Sequence, residues 1–242
     1  IYVEIRFAPL LHCRNKLSAS DVVEIINNVS KKCSEKYGIH YGLILCTLRH
    51  FDEMQSMETV RLVEKFKNSG VFALDIAADE AGHSLDNHIS AFNYANDSNI
   101  KSTAHAGEAK GPESIRETLK RLKVKRVGHG VRCVEDKDLM KHLSNKDIHL
   151  EICLTSNIKT ATFKSITLHP VDEIFKSNIS ISLSTDGRTI SNIDLTSEYE
   201  LVMNKFGWDI NDIKKTNLDA ISHSFTTPEI KKELTKKINA SY

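Results

Sequence analysis

Four ionisable side chains each close a short apolar run. His105 and Glu108 stand three residues apart in Thr103-Ala104-His105-Ala106-Gly107-Glu108. His129 lies between glycines in Arg126-Val127-Gly128-His129-Gly130, and Asp186 ends Ser184-Thr185-Asp186. Imidazole is the commonest transition-metal side-chain ligand, and a carboxylate beside a metal-activated water is a natural proton shuttle. Gly107 permits the backbone to approach a ligand closely between the two groups of the H-x-x-E pair. Each residue also has a plain structural explanation. His105 and Glu108 could be a backbone-bonded strand end and a solvated acid, His129 a satisfied core histidine, and Asp186 a helix N-cap. Asp75, closing another apolar run, reads as structural, as do Arg49 and His50. Taken together the four groups point further, because groups at the carboxyl ends of parallel strands converge when the strands close into a barrel.

The elements needed to position them are legible as alternating short apolar and longer amphipathic runs. Strands are expected at residues 2–7, 41–48, 71–76, 101–106, 126–128, 149–153 and 179–183. Helices are expected at 19–37, with Val22, Val23, Ile26 and Val29 on one stripe, at 55–69, and at 112–122, with Ile115, Leu119 and Leu122. Ser18 or Ser20 and Ser56 are the expected N-caps. Three more helices, 197–206, 209–219 and 227–238, follow the last strand. Strand-helix alternation implies a mostly parallel sheet. No glycine-rich phosphate loop follows an early strand, which argues against an open dinucleotide-binding sheet. A closed barrel needs eight strands and seven are counted, so the eighth is expected to precede Ile1.

Composition sets the remaining bounds. The 242 residues suffice for one large domain, and four prolines with no low-complexity linker argue against a boundary within 1–242. Thirty-three basic and 32 acidic residues nearly cancel, so no broad field calls for nucleic acid or an anionic membrane. Five scattered cysteines without a C-x-x-C point to free thiols and a reducing cytoplasm, with Cys46 and Cys153 expected to be buried. No run is long enough to span a membrane, and the N-terminus reads as a strand carrying Glu4 and Arg6 rather than as a signal peptide.

At this point the chain resembles the adenosine deaminase family of metal-dependent barrel hydrolases. The carrying segments are Tyr2-Val3-Glu4-Ile5-Arg6-Phe7-Ala8-Pro9, Leu45-Cys46-Thr47-Leu48-Arg49-His50 and Leu74-Asp75-Ile76-Ala77-Ala78-Asp79-Glu80. They continue with Ala104-His105-Ala106-Gly107-Glu108, the Arg126–Gly130 run, Cys153-Leu154-Thr155-Ser156-Asn157 and Leu183-Ser184-Thr185-Asp186. The resemblance implies a TIM (β/α)8 barrel that here lacks its first strand and following helices. It implies one zinc ion with His105 and Asp186 among its ligands, Glu108 as the acid that protonates purine N1, and His129 as the residue that orients the attacking water or takes its proton. The implied reaction is deamination of adenosine and 2′-deoxyadenosine to inosine and ammonia in purine salvage, with no nucleic-acid or membrane partner. Ala78 and Gly187 are the implied substrate-binding positions.

Three departures qualify the resemblance. Gly187 stands where the best-known members carry a second aspartate against purine N7, and Ala78 stands where many carry glycine near N3. The family's H-x-H pair, two further zinc ligands, is absent from the sequence and is expected upstream of Ile1. The 242-residue chain alone is therefore expected to be inactive. Adenine or N6-substituted AMP deamination, and a non-catalytic binding or growth-factor-like descendant, are the alternatives.

Overall fold

A computed structural model describes every residue, Ile1–Tyr242. Strand and helix alternate as the apolar periodicity requires. The first elements are β1 (Tyr2–Phe7), α1 (Ala19–Tyr37), β2 (His40–Leu48), α2 (Glu53–Phe66), β3 (Val71–Ala77), α3 (Ile89–Asp97) and β4 (Lys101–Ser102). Then come β5 (Ala104–Ala106), α4 (Pro112–Leu122), β6 (Arg126–His129), α5 (Lys137–Asn145), β7 (His149–Ile152), α6 (Leu154–Lys159), α7 (Val171–Lys176) and β8 (Ile181–Leu183). Four helices close the chain: α8 (Arg188–Ser191), α9 (Leu195–Phe206), α10 (Ile210–His223) and α11 (Pro228–Ser241). No helix is long and apolar enough to cross a membrane.

The strands form two four-stranded sheets, ordered β1-β2-β3-β4 and β5-β6-β7-β8. The contacts divide the chain into two units. The first holds residues Ile1–Ala104, Lys120–Val124 and Ser224–Ile230, and the second holds His105–Leu119, Lys125–His223 and Lys231–Tyr242.

In the first unit β1 pairs β2, β2 pairs β3 and β3 pairs β4, all parallel. Strand β2 is buried from Gly42 to Leu48, the continuous apolar run of a strand covered on both faces. Strand β1 instead alternates, with Val3 and Ile5 exposed. Helix α1 begins at Ser18, whose hydroxyl accepts from the Asp21 amide in a capping box, and ends at Gly38 with φ of 63°. Helix α2 is capped by Asp52 and Gln55, not by Ser56, which is buried inside the helix. An aspartate one turn upstream took the capping role because its carboxylate reaches the free first-turn amides. Asp75 on β3 is fully buried, paired with Arg6 at 3.0 Å and accepting from the Cys46 thiol at 3.3 Å.

In the second unit β6 pairs β7 and β7 pairs β8, again parallel. The start of this sheet is polar yet buried. Arg126 donates to Glu151 at 2.7 Å and to the His223 carbonyl at 3.1 Å. His149 sits between the hydroxyls of Ser180 and Ser182 at 2.8 and 3.0 Å, and stacks on His223 at 4.6 Å. Buried polar groups demand such pairing.

The stretch 101–106, read as one strand, divides at Thr103. Lys101–Ser102 pairs with β3, whereas Ala104–Ala106 lies in the β5–β8 sheet. The eighth strand segment thus arises by division of an expected strand and is not an additional one. The three C-terminal helices form as the periodicity requires, with the one-turn α8 before them.

Candidate active site

The site begins with backbone geometry at strand ends. His129 is the last residue of β6 and has φ of 60°; Asp186, three residues beyond β8, has φ of 55°, and Ala78, just past β3, has φ of 74°. Positive φ is uncommon for residues other than glycine and is tolerated best by Asn, Asp and His. Such strain concentrates at functional positions. The turns after β5 and β6 are tied together: Gly130 donates to the Ala106 carbonyl and Arg132 to the Gly107 carbonyl, both at 3.0 Å. Gly128 must lack a side chain for a different reason. A Cβ there would lie 2.9 Å from both Cγ and Nδ1 of His105. The half-buried His105 imidazole therefore rests against the backbone of the next strand.

Around these turns a hydrogen-bonded cluster forms within the second unit. Glu108 Oε1 accepts from Asn157 Nδ2 at 2.9 Å and from Thr160 Oγ1 at 3.1 Å. Its other oxygen lies 3.4 Å from His129 Nε2. Asn157 Nδ2 also reaches His129 Nδ1 at 3.1 Å. On its far side Asn157 Oδ1 meets His169 Nε2 at 3.2 Å, and the Val171 amide donates to His169 Nδ1 at 3.2 Å. Asn157, His129 and His169 are all buried. The His105 and His129 rings meet edge to face, 5.2 Å between centroids. Asp186 accepts from Ser156 Oγ at 2.7 Å.

Helix α6 presents Ser156 and Asn157, and Thr160 follows directly after it. Its first turn is held by the fully buried Glu198 of α9, which accepts from the Thr155 amide at 3.3 Å and from the Thr155 hydroxyl. Burial pushes the Glu198 carboxyl above its ordinary value, against the lowering effect of those donors. His169 shifts the other way. Burial, followed by the charge of His129, pulls it down to about 4, so it is neutral at physiological pH.

The structure thus brings Glu108 and His129 into direct proximity, sets His105 against His129, and ties Asp186 to the residue preceding Asn157. Gly187 is exposed beside Asp186, and a Cβ there would touch only Ile190 at 3.8 Å. Ala78 is exposed and belongs to the first unit. His105 and Asp186 are zinc-type donors by chemistry. However, no group of three or more His, Cys, Asp or Glu side chains converges to hold a metal, and catalytic zinc ordinarily takes three protein ligands. The residues of this chain do not by themselves complete a zinc centre. Asn157, Thr160 and His169 carry no role in the sequence reading. Asn157 stands in the Cys153–Asn157 segment, and the His169-Pro170 step before α7 was the one available signal for His169.

The fold is that of solved barrel proteins. It superposes on adenine deaminase from Arthrobacter aurescens with a TM-score of 0.90 at 21% identity, covering 99% of this chain and 73% of that one. It superposes on the N6-methyl-AMP deaminase from Arabidopsis thaliana with a TM-score of 0.88 at 26% identity, covering 99% and 72%. The expected α/β TIM-barrel class is thereby borne out. Residues 1–241 match the family model described as adenosine deaminase. The adenosine deaminase of Clostridium acetobutylicum is 37% identical over 238 residues, 98% of this chain and 71% of that protein. The chain belongs to the adenosine deaminase family and is a deaminase.

Two outcomes test the geometry. Gly128→Ala should force the His105 ring from its seat and lower stability by about 1–3 kcal/mol, read as a fall in the urea midpoint. An unchanged midpoint would mean the ring yields freely. The His169 shift also predicts acid lability. The unfolded chain takes up a proton near 6.5 that the native ring refuses until about 4, so stability should decline as pH falls through that window. The loss should be on the order of 3 kcal/mol. Buried His149, also held below its ordinary value, acts in the same direction. His169→Gln should therefore reduce the slope of urea midpoint against pH without abolishing it.

Proposed function

We propose that this protein hydrolyses the 6-amino group of a purine nucleoside, converting adenosine and 2′-deoxyadenosine to their inosine counterparts with release of ammonia. The observation that carries the reading is the pairing of Glu108 with His129, at the ends of two strands and joined by one buried amide. Glu108 donates a proton to N1, which draws electron density from C6 and opens that carbon to water. His129 positions the attacking water and stabilises the charge that develops on its oxygen. Collapse of the tetrahedral adduct breaks the C6–N bond: one of the two water protons passes to the departing amino group, which leaves as ammonia, the other restores the Glu108 carboxyl, and the oxygen remains on C6 as the carbonyl.

We assign His105 and Asp186 to a zinc site that needs donors beyond those present here. A zinc ion bound there would supply Lewis acidity and a water of lowered pKa. Gly187 leaves room beside N7 where a side chain would otherwise project. Free Cys46, Cys133 and Cys153, all buried, support a reducing cytoplasmic setting, and purine salvage is the pathway class this reaction serves.

The likeness to the Arabidopsis N6-methyl-AMP deaminase favours one second reading, in which the substrate is an N6-substituted purine nucleotide. Spectrophotometric assays on adenosine, adenine and N6-methyl-AMP side by side decide between the readings. Turnover of adenosine well above the others supports the first, and dominance of N6-methyl-AMP overturns it. In the full-length enzyme with its zinc donors complete, Glu108→Gln should lower kcat by roughly 10²–10⁴-fold, with bound-zinc content unchanged. Near-full turnover in that variant would remove Glu108 from the role of acid.

A further inference from the structure

His129 can orient water only if the correct ring nitrogen carries its proton, and the buried chain of hydrogen bonds leading away from it decides which. The chain starts at a group whose polarity is not in doubt. The backbone N–H of Val171 is a donor, so His169 Nδ1, 3.2 Å away, accepts. In the neutral ring the proton must then sit on Nε2, which donates to Asn157 Oδ1 at 3.2 Å. That contact turns the amide oxygen of Asn157 toward His169 and its NH2 toward the site. The NH2 has two hydrogens and two acceptors in reach, Glu108 Oε1 at 2.9 Å and His129 Nδ1 at 3.1 Å. With Nδ1 of His129 occupied as an acceptor, the proton of the neutral ring resides on Nε2, the nitrogen that faces Glu108 Oε2.

We infer that His169 is a positioning residue: through the Asn157 amide it holds His129 in the Nε2–H tautomer and aims one Glu108 oxygen at the same centre. This rests on the deaminase reading for its catalytic meaning. It also narrows that reading, because a neutral His129 so held is a hydrogen-bond donor at Nε2 and not a base there. The neutrality of His169 supports the polarity of the chain, since burial above all holds it at about 4. Phe163 packs edge-on against its ring at 5.1 Å and leaves both ring nitrogens to the contacts described.

The direct test is long-range ¹H–¹⁵N NMR of the histidine rings, which separates the protonated ring nitrogen from the bare one. Resonances are assigned through His129→Asn and His169→Asn. Both His129 and His169 should show Nε2 protonated and Nδ1 bare near pH 7.5. His169→Gln, whose side-chain amide can still donate to Asn157, should keep that pattern for His129 and keep most of kcat. His169→Leu should let the Asn157 amide rotate, mix the His129 tautomers, and lower kcat about 10–100-fold with KM little changed. Asn157→Asp should move the His129 proton to Nδ1, because a carboxylate accepts where the amide donated. Nδ1–H on His129 in the wild-type protein overturns the inference, as does an unaltered His129 pattern in His169→Leu. The wild-type spectrum decides even if a variant fails to fold. A full-length, zinc-loaded protein with the stated tautomers and no purine turnover would refute the deaminase reading alone, leaving the positioning of His129 in place.

Discussion

The site depends on the satisfaction of one buried amide. Asn157 is fully buried, and an amide without partners in such a place costs on the order of 1–3 kcal/mol per unmet group. Its oxygen has one partner and its two hydrogens have one each, and those partners are His169, Glu108 and His129. The amide is asymmetric, so it cannot serve all three unless it points one way. The cost of leaving it unpaired therefore becomes an orientation for two groups that would otherwise rotate. A carboxylate and an imidazole 3.4 Å apart need such a restraint if the geometry is to be the same in every molecule.

That restraint is built on short elements. Helix α6 has six residues, too few to be stable by propensity alone. It is held at its start by Glu198, a carboxylate kept buried on α9, and near its C-terminal end Lys159 donates to the Ser191 carbonyl. The opposite end of the same sheet is held by the Arg126–Glu151 pair and the His149–His223 stack. Strand β6 separates the two ends, beginning with Arg126 and finishing with His129. Stability at one end and chemistry at the other is the usual division of labour in barrel folds. Left-handed backbone at His129 and Asp186 accompanies the chemical end, where the chain leaves the strand abruptly.

Family membership and site geometry bear on different parts of the chemistry. A 37% identical adenosine deaminase and a 26% identical N6-methyl-AMP deaminase are both named as deaminases of purine compounds. Those compounds differ in what surrounds the purine ring. The acid and imidazole roles proposed for Glu108 and His129 concern features common to all such substrates, N1 and C6. Discrimination in the proposed reaction would come from groups around the sugar, the phosphate and N7.

Much of this was readable from residue order alone. Apolar periodicity placed the six longest helices and nearly all the strands, because burial of a stripe or a run is a local pattern, whereas the shorter α3, α5, α6, α7 and α8 carry too few turns to show one. His105, Glu108, His129 and Asp186 were visible for the same reason, each a polar residue ending an apolar run. The break at Thr103 was not visible, since which neighbour a short strand pairs with depends on the sheet and not on its own six residues. Nor was the choice of Asp52 over Ser56 as a cap, which turns on one helical turn of register. The largest gap concerns Asn157 and His169, twelve residues apart in sequence. Neither type nor spacing marks them, because a buried amide acquires meaning only from what its two ends touch. Pattern determined a mostly parallel α/β sheet and four chemical groups, and the motif resemblance implied the barrel. Tertiary packing alone decided that two of those groups, Glu108 and His129, share a hydrogen-bonded chain through Asn157, because hydrogen-bond direction is a property of three-dimensional neighbours.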